Sequence, residues 1–402
     1  VRRLTRLQRL IRWRRPGTDG EHGAISVMVA LFATTGILLG MGAVVIDIGL
    51  LYNEKEQLQS GADTAVWKVG QACVADTTKC SNALQSANAT AYAQKNAADT
   101  YADAQVCING TACPTWNTTS ACPPAPVTTG NYDYAEVRTS TRNADNTTLM
   151  PPVFAKGLAG NSSYKGSKIG ACSRVAWGVP ASANVLGLAI SKCDWERITG
   201  NGSTFYALPG LDPLLQQTGL YSLLGLQPPI DNAVVVNQPI LTFCKNSWDK
   251  TSSAGYAFLD GVDANCKITI APPAAGVWMD LNAFNLAAAI NCQNALAVAR
   301  ASKQPVLVPI FDKVVGALAL LPARYHVVGF APFVVTGYTG LLSGLVGALS
   351  TLGNLVPAVA TLLCGLQTCI YGYFTKSLVP EHMPTAFGTS QNFGAMVIGR
   401  TG

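Results

Sequence analysis

Ala24 to Ile46 reads AISVMVALFATTGILLGMGAVVI, a mostly apolar stretch inside a longer run from Glu21 to Asp47 that no charged residue interrupts. As an α-helix it would extend about 34 Å, enough to cross a hydrocarbon core of about 30 Å. Seven arginines precede it, Arg2, Arg3, Arg6, Arg9, Arg12, Arg14 and Arg15, with no acidic residue among the first fifteen. The positive-inside rule then expects residues 1–20 in the cytoplasm and everything after Asp47 outside, with Asp47 at the outer membrane boundary. A secretory signal has a shorter apolar stretch of about 7–15 residues and an A-x-A-like cleavage site. Neither fits, so a single uncleaved anchor is expected. Within it, Gly36 and Gly40 form a G-x-x-x-G pair, which would let a second helix approach closely.

The same arginines explain the formal net charge of +6: the rest of the chain carries 21 basic against 22 acidic residues, a net of −1. A near-neutral body has no basic surface for phosphate contacts, so no nucleic acid is expected as a partner. Charged residues make up 12% of the 402, about half the usual ~25% of soluble domains, which suits a membrane or envelope setting. Nearly half the residues are hydrophobic, enough for a real core and too many for a disordered chain.

The helical pattern continues past the span. Leu51, Leu58, Ala62, Ala65, Val69 and Ala72 recur mainly at three- and four-residue spacing, so one helix from Ala24 to about Cys73 is expected. Gly23-Ala24-Ile25-Ser26-Val27 opens the apolar run and Asp47-Ile48-Gly49 closes it. Tyr52, Leu58-Gln59 and Ala62-Asp63-Thr64-Ala65 follow. With these residues the segment resembles the Flp/Tad pilus-assembly TadE/TadG-like family. Leu307 to Asp312, Tyr325 to Phe330 and Cys369 to Phe374 are similar to the exported part of its actinobacterial members. The resemblance implies a pilin-like helix and a place in pilus assembly. Related prepilins are cut after a glycine and carry glutamate at the fifth mature position; counted from Ala24, that place holds Met28.

Beyond the long helix, Ser81 to Val106 has a weak helical face and reads as a second helix folding back on the first. Cys107 to Gly130 concentrates Pro, Thr, Gly and cysteine, the composition of a linker. Tyr134–Arg138, Ser173–Gly178, Val234–Val236, Ile268–Ile270, Val306–Ile310 and Tyr325–Val335 are short β-branched or aromatic runs between Gly, Pro and Asn clusters. The expected fold is therefore α+β: a basic cytoplasmic segment (1–20), an anchor and pilin-like helical region (21–106), a linker (107–130), and an exported, loop-rich, mainly antiparallel β domain (131–402). An apolar helix is expected near 340–363, where Leu341, Leu345, Leu349, Leu352, Val356, Val359 and Leu363 share one face. Three readings of it compete: packing within the protein, a surface for a partner or membrane, and a second span.

All twelve cysteines follow the anchor, as suits an oxidising compartment. Local disulfides are expected at Cys73–Cys80, Cys107–Cys113 and Cys364–Cys369. Cys122, Cys172, Cys193, Cys244, Cys266 and Cys292 remain for longer bridges of open connectivity. Metal binding is not expected, since no C-x-x-C occurs and histidine is limited to His22, His326 and His382. Esterase-elbow, zinc-peptidase and phosphate-loop motifs are missing as well. Asp194 with Glu196, or Asp260 with Asp263, are the carboxylate pairs to test for glycoside chemistry. Asp249-Lys250-Thr251-Ser252-Ser253 has the D-x-T-x-S form of an adhesion site, read here as a turn.

The expectation is a single-pass envelope protein of Flp/Tad-type pilus assembly or anchoring, non-enzymatic and without cofactor. Its expected partners are the lipid bilayer and other pilin-like or pilus-assembly membrane proteins, a second copy of the chain included. The alternative is an envelope binding module or hydrolase on a signal anchor, unrelated to pili.

Overall fold

The computed structural model describes residues 20–117, 121–122, 129–150, 166–206, 226–227, 232–235, 244, 253–280, 286–316, 323–338, 369–381 and 386–401. Helix α1 (Gly20–Ala75) runs 56 residues without a break, about 84 Å at 1.5 Å per residue. No proline or charge cluster stops it until Asp76, which caps the 3-10 turn Thr77–Lys79 through the Thr78 amide. A disulfide between Cys73 and Cys80 closes this reversal. Helix α2 (Asn82–Asn96) then returns along α1, with the Ser81 hydroxyl accepting from the Leu84 amide at its start.

The second helix ends ten residues before the expected Val106. The Asp99 carboxylate accepts from the Tyr101 amide, Thr100 adopts positive φ, and the chain leaves as a strand. Ala102, Ala104 and Val106 are buried alternately, a period of two hidden among alanines that also suit a helix.

The described strands are, in chain order, β1 (Ala102–Ile108), β2 (Tyr132–Thr141), β3 (Gly170–Gly178), β4 (Ala183–Leu186), β5 (Leu188–Ser191), β6 (Phe205–Tyr206), β7 (Leu226–Gln227), β8 (Asn232–Val235), β9 (Tyr256–Phe258), β10 (Lys267–Ile270), β11 (Val277–Asp280), β12 (Val306–Val315), β13 (Arg324–Tyr338), β14 (Cys369–Phe374), β15 (Ser377–Glu381), β16 (Gln391–Asn392) and β17 (Ala395–Arg400). Among the described residues, two further helices are α3 (Lys192–Thr199) and α4 (Leu286–Ser302). Five of the six expected β runs fall wholly in strands; the sixth, Val234–Val236, lies in β8 as far as Val235, and Val236 is outside the described residues. The fold is α+β with mainly antiparallel pairing.

One sheet has the order β1-β2-β3-β17-β15, antiparallel except for β15–β17. Its inner face packs on the lower half of α1 and on α2: Val106, Val137, Val175, Trp177 and Ile398 meet Leu58, Val66, Val69, Ala89 and Ala93. The larger sheet follows β8-β14-β13-β12-β5-β9, with β11 and β16 also on β13. Both its faces are covered. Val308, Ile310 and Phe333 pack with Trp195 of α3 and Leu296 of α4 on one side; Phe311, Tyr325 and Phe330 pack with Leu259 and Ile270 on the other. Covering on both sides makes β13 a nearly continuous apolar run instead of an alternating one.

Five disulfides join cysteines that are consecutive in the sequence: 73–80, 107–113, 122–172, 193–244 and 266–292. Cys369 is also disulfide-bonded; Cys364, its expected partner, lies outside the described residues. So does the expected apolar helix at 340–363. Its described flanks, Tyr338 and Ile370, pair in the β13–β14 ladder.

Candidate membrane anchor and helix-packing site

The upper half of α1 has no internal core to join. Val27, Phe32 and Leu39 are 59%, 76% and 74% exposed, and none of the most apolar window of the helix is buried within the chain. Its polar side chains are satisfied by the helix itself: Thr34 and Thr35 donate to the carbonyls of Ala30 and Leu31 at 2.8 and 2.7 Å. Such back-bonding lets hydroxyls face hydrocarbon without unmet hydrogen bonds. Among the described residues this is one N-terminal apolar helix that fits a membrane anchor by length and composition.

Gly36, Gly40, Ala43, Asp47, Leu50, Glu54 and Leu58 follow a 4-3-4-3-4-4 spacing, one face of the helix. Exposure falls along it. A Cβ on Gly36 would meet nothing within 4 Å, Gly40 and Ala43 are half-buried, and Asp47, Glu54 and Leu58 are buried. The glycine pair is thus an open notch on the face that, lower down, turns toward the chain's own body. Asp47, expected as a boundary residue, is buried at 9% exposure, despite its charge.

Below Asp47 the helix is seated by specific contacts. Gln59 Nε2 donates to Asp63 Oδ1 (2.9 Å) and to the Cys172 carbonyl (3.0 Å), and Asp63 Oδ1 pairs with Arg400 Nη2 at 2.7 Å. Thr139 Oγ1 donates to the Leu58 carbonyl at 2.9 Å, and the Ala98 amide donates to Gln57 Oε1 at 2.7 Å. Gly61 and Gly70 allow close approach: an added Cβ would lie 3.1 Å from Ala93 Cα at the first and 2.7 Å from Ile398 Cδ1 at the second. At the foot, Lys376 Nζ donates to the Ala75 carbonyl at 2.7 Å, a cation on the negative end of the helix dipole. Burial holds the Lys376 ammonium below its ordinary range, with the Asp76 charge acting against it.

Of the residues that the sequence singled out below Asp47, Leu58, Ala62, Ala65 and Val69 are buried and Gln59 and Asp63 bond the domain, whereas Tyr52 is 65% exposed.

Residues 23–72 match the Tad family model, "Putative Flp pilus-assembly TadE/G-like".

The match spans the apolar half of α1 and nearly all of the seat, and ends just before Cys73. A Tad match suggests involvement in Flp pilus assembly. No curated protein matches the chain, and no solved structure does. The shared Tad segment has a physical unity here: its first half is an exposed apolar rod and its second half a docking strip, joined without a hinge.

Asp194, Glu196, Asp263 and His326 have structural partners, and Asp260 is exposed. Asp194 Oδ2 accepts from Ser191 Oγ and the Gly255 amide, both at 2.6 Å, and Oδ1 pairs with Arg197; it fastens the start of α3. Glu196 lies 3.8 Å from Lys192. Asp263 Oδ1 accepts from the amides of Asn265 and Lys267, tying a turn. His326 sits with Nδ1 2.6 Å from Asp312 Oδ1, Nε2 2.7 Å from the Ala275 carbonyl, and Trp278 against its ring. It clasps the loop before β11 to β12. Cys122 and Cys172 come close to a Glu136 oxygen, but the sulfurs are bonded to each other. Desolvation raises the Glu136 carboxyl, yet hydrogen bonds and charges from Arg174 and Arg138 outweigh it and hold the group below its ordinary range. His22, His382 and 249–252 of the D-x-T-x-S run lie outside what the structure describes of side chains.

Sequence reasoning missed Thr139, Lys376 and Arg400, whose roles depend on α1 lying across the sheet. The only local signal was Arg400 on an otherwise apolar strand.

Proposed function

We propose that the chain is a non-enzymatic, membrane-anchored component of Flp/Tad-type pilus assembly. It would act by lateral packing of α1 with other pilin-like helices in the bilayer, while its disulfide-linked body presents a surface outside the cytoplasm. The observation that carries this reading is the unbroken course of α1 from the apolar rod into the seat, over the Tad-matched residues. With no flexible segment between rod and body, a partner that grips the helix in the membrane also orients the body, which a mere tether would not need. The arginine cluster before the span supports the outward orientation of the body. Gly36 and Gly40 are the proposed contact, because small residues let helix backbones approach in lipid.

Replacing both by leucine tests this. Protein level and disulfide content should match the parent, because Gly36 touches nothing in the chain, whereas piliation should be lost. Normal piliation in G36L/G40L cells would refute packing at this notch.

A further inference from the structure

Between α4 and the β4–β10 pair lies a cleft of about 520 Å³, within the range of small-ligand sites. Its polar lining is Asn184 of β4, Asn265 just before β10, Lys267 at its start, and Asn291, Asn294 and Ser302 of α4. Its floor is apolar, made by Leu186, Ala295, Val306 and Leu307. No carboxylate lines it among the described residues.

Three features mark this as more than a hydrated hollow. Elsewhere in the chain asparagines hold loops: Asn82 bonds the Thr111 and Ala112 carbonyls and the Ile108 amide, and Asn143 bonds Thr147 and the Leu149 carbonyl. The four cleft carboxamides make no such side-chain bond among the described residues, and Lys267 has no ion-pair partner there. Second, Cys266, between Asn265 and Lys267, is bonded to Cys292, next to Asn291, and both cysteines are fully buried. The two polar walls are therefore cross-linked at their base, and the amides are held in place before any ligand arrives, which lowers the ordering cost of binding. Third, Asn291, Asn294, Ala295 and Val298 form one helical stripe facing the cleft, and Val298 is 69% exposed.

We propose that this cleft binds an N-acetylated oligosaccharide. A carboxamide donates and accepts at once, as a hydroxyl or acetamido group requires. The apolar floor takes the acetyl methyl, and Lys267, whose ammonium only donates, can serve a hydroxyl or acetyl oxygen. An extended peptide would call instead for a row of unpaired backbone groups, as in strand addition; here the unmet polar groups are on side chains. With no aromatic ring among the described lining residues to stack on a sugar, affinity is weak, with Kd on the order of 1 mM. The proposal does not depend on the pilus reading. Loss of sugar binding leaves the Gly36–Gly40 test untouched, and normal piliation in that test says nothing about the cleft.

The test is ligand-observed saturation-transfer NMR on the full chain in detergent micelles, with triacetylchitotriose as probe. Saturable binding, strongest at the acetamido methyls, is expected. Asn291→Ala with Asn294→Ala should weaken it about tenfold or more, as should Ala295→Phe, which fills the cleft. Intact Cys266–Cys292 and an unchanged unfolding midpoint would show that these variants fold. Maltotriose, which lacks acetamido groups, should bind more weakly. No saturable signal up to about 10 mM, equal binding by the folded variants, or tighter binding of an acetylated tripeptide than of the sugar would each overturn the proposal.

Discussion

Gly36 and Gly70 sit on the same helix in opposite surroundings. A Cβ on Gly36 would point into open space, whereas one on Gly70 would lie 2.7 Å from Ile398 Cδ1 and 3.0 Å from Val175 Cγ1. Gly70→Val should therefore push α1 off the sheet and cost about 1–3 kcal/mol, the usual penalty of overpacking. Gly36→Val should leave the denaturant midpoint in detergent unchanged; equal losses at both sites would mean that the seat is misplaced. Glu136 offers a second test at this scale. Its carboxyl, held by Arg138 and Arg174 at 2.7 and 2.8 Å, ionises below the ordinary value of 4.5. A depressed carboxylate stabilises the fold above its unfolded value and loses that contribution as pH falls through the folded one. Glu136→Gln should thus cost about 1–3 kcal/mol near neutrality. Urea unfolding at a series of pH values should show parent and variant converging below about pH 4.5; a gap that stayed constant would remove the ion-pair account.

At the scale of elements, α1 is held by apolar area more than by its ion pair. Leu58 is 2% exposed within the helix–sheet core, so Leu58→Ala should cost about 2–5 kcal/mol. The Asp63–Arg400 pair is partly open to solvent, at 29% and 43% exposure, and its coupling in a double-mutant cycle should stay within about 1 kcal/mol. A coupling larger than the Leu58 loss would reverse this ranking. These elements were unequally legible in the sequence. The long helix showed itself through the recurrence of Leu58, Ala62, Ala65 and Val69, and the central strands through β-branched runs. Strand β1 did not, because Ala102 and Ala104 satisfy a helix as readily as a strand and only their pairing with Thr141 and Thr139 decides. The parallel pairing of β15 with β17 was also out of reach, since it depends on β17 being drawn in beside β3. The local disulfides Cys73–Cys80 and Cys107–Cys113 could be read from spacing. The longer three required knowing which strands and helices meet: Cys266 reaches Cys292 only because the turn before β10 comes up against α4. The cleft's asparagines stood in the sequence as ordinary polar residues, and no spacing connects Asn184 to Asn291.

For the whole molecule, the pairing of distant segments restricts topology more tightly than hydropathy does. Strand β1 pairs with β2, β2 with β3, and β3 with β17, so residues 102–108 and 395–400 belong to one sheet. Strands β13 and β14 flank the uncharged stretch beyond Tyr338 and are bonded to each other. Whatever that stretch does, the chain before and after it must lie on one side of any bilayer that α1 crosses. An epitope inserted at the exposed Asn109–Gly110 turn, where both residues have positive φ, and another appended after residue 402 should therefore give the same answer in separate experiments. With seven arginines on the near side of the span, that answer should be access from outside: an impermeant antibody on wall-permeabilised, membrane-intact cells should reach both. Access to one and not the other would break the sheet described here. Access to neither would leave the sheet intact and invert the anchor, putting the disulfides in the cytoplasm and removing the outward surface on which the pilus reading depends.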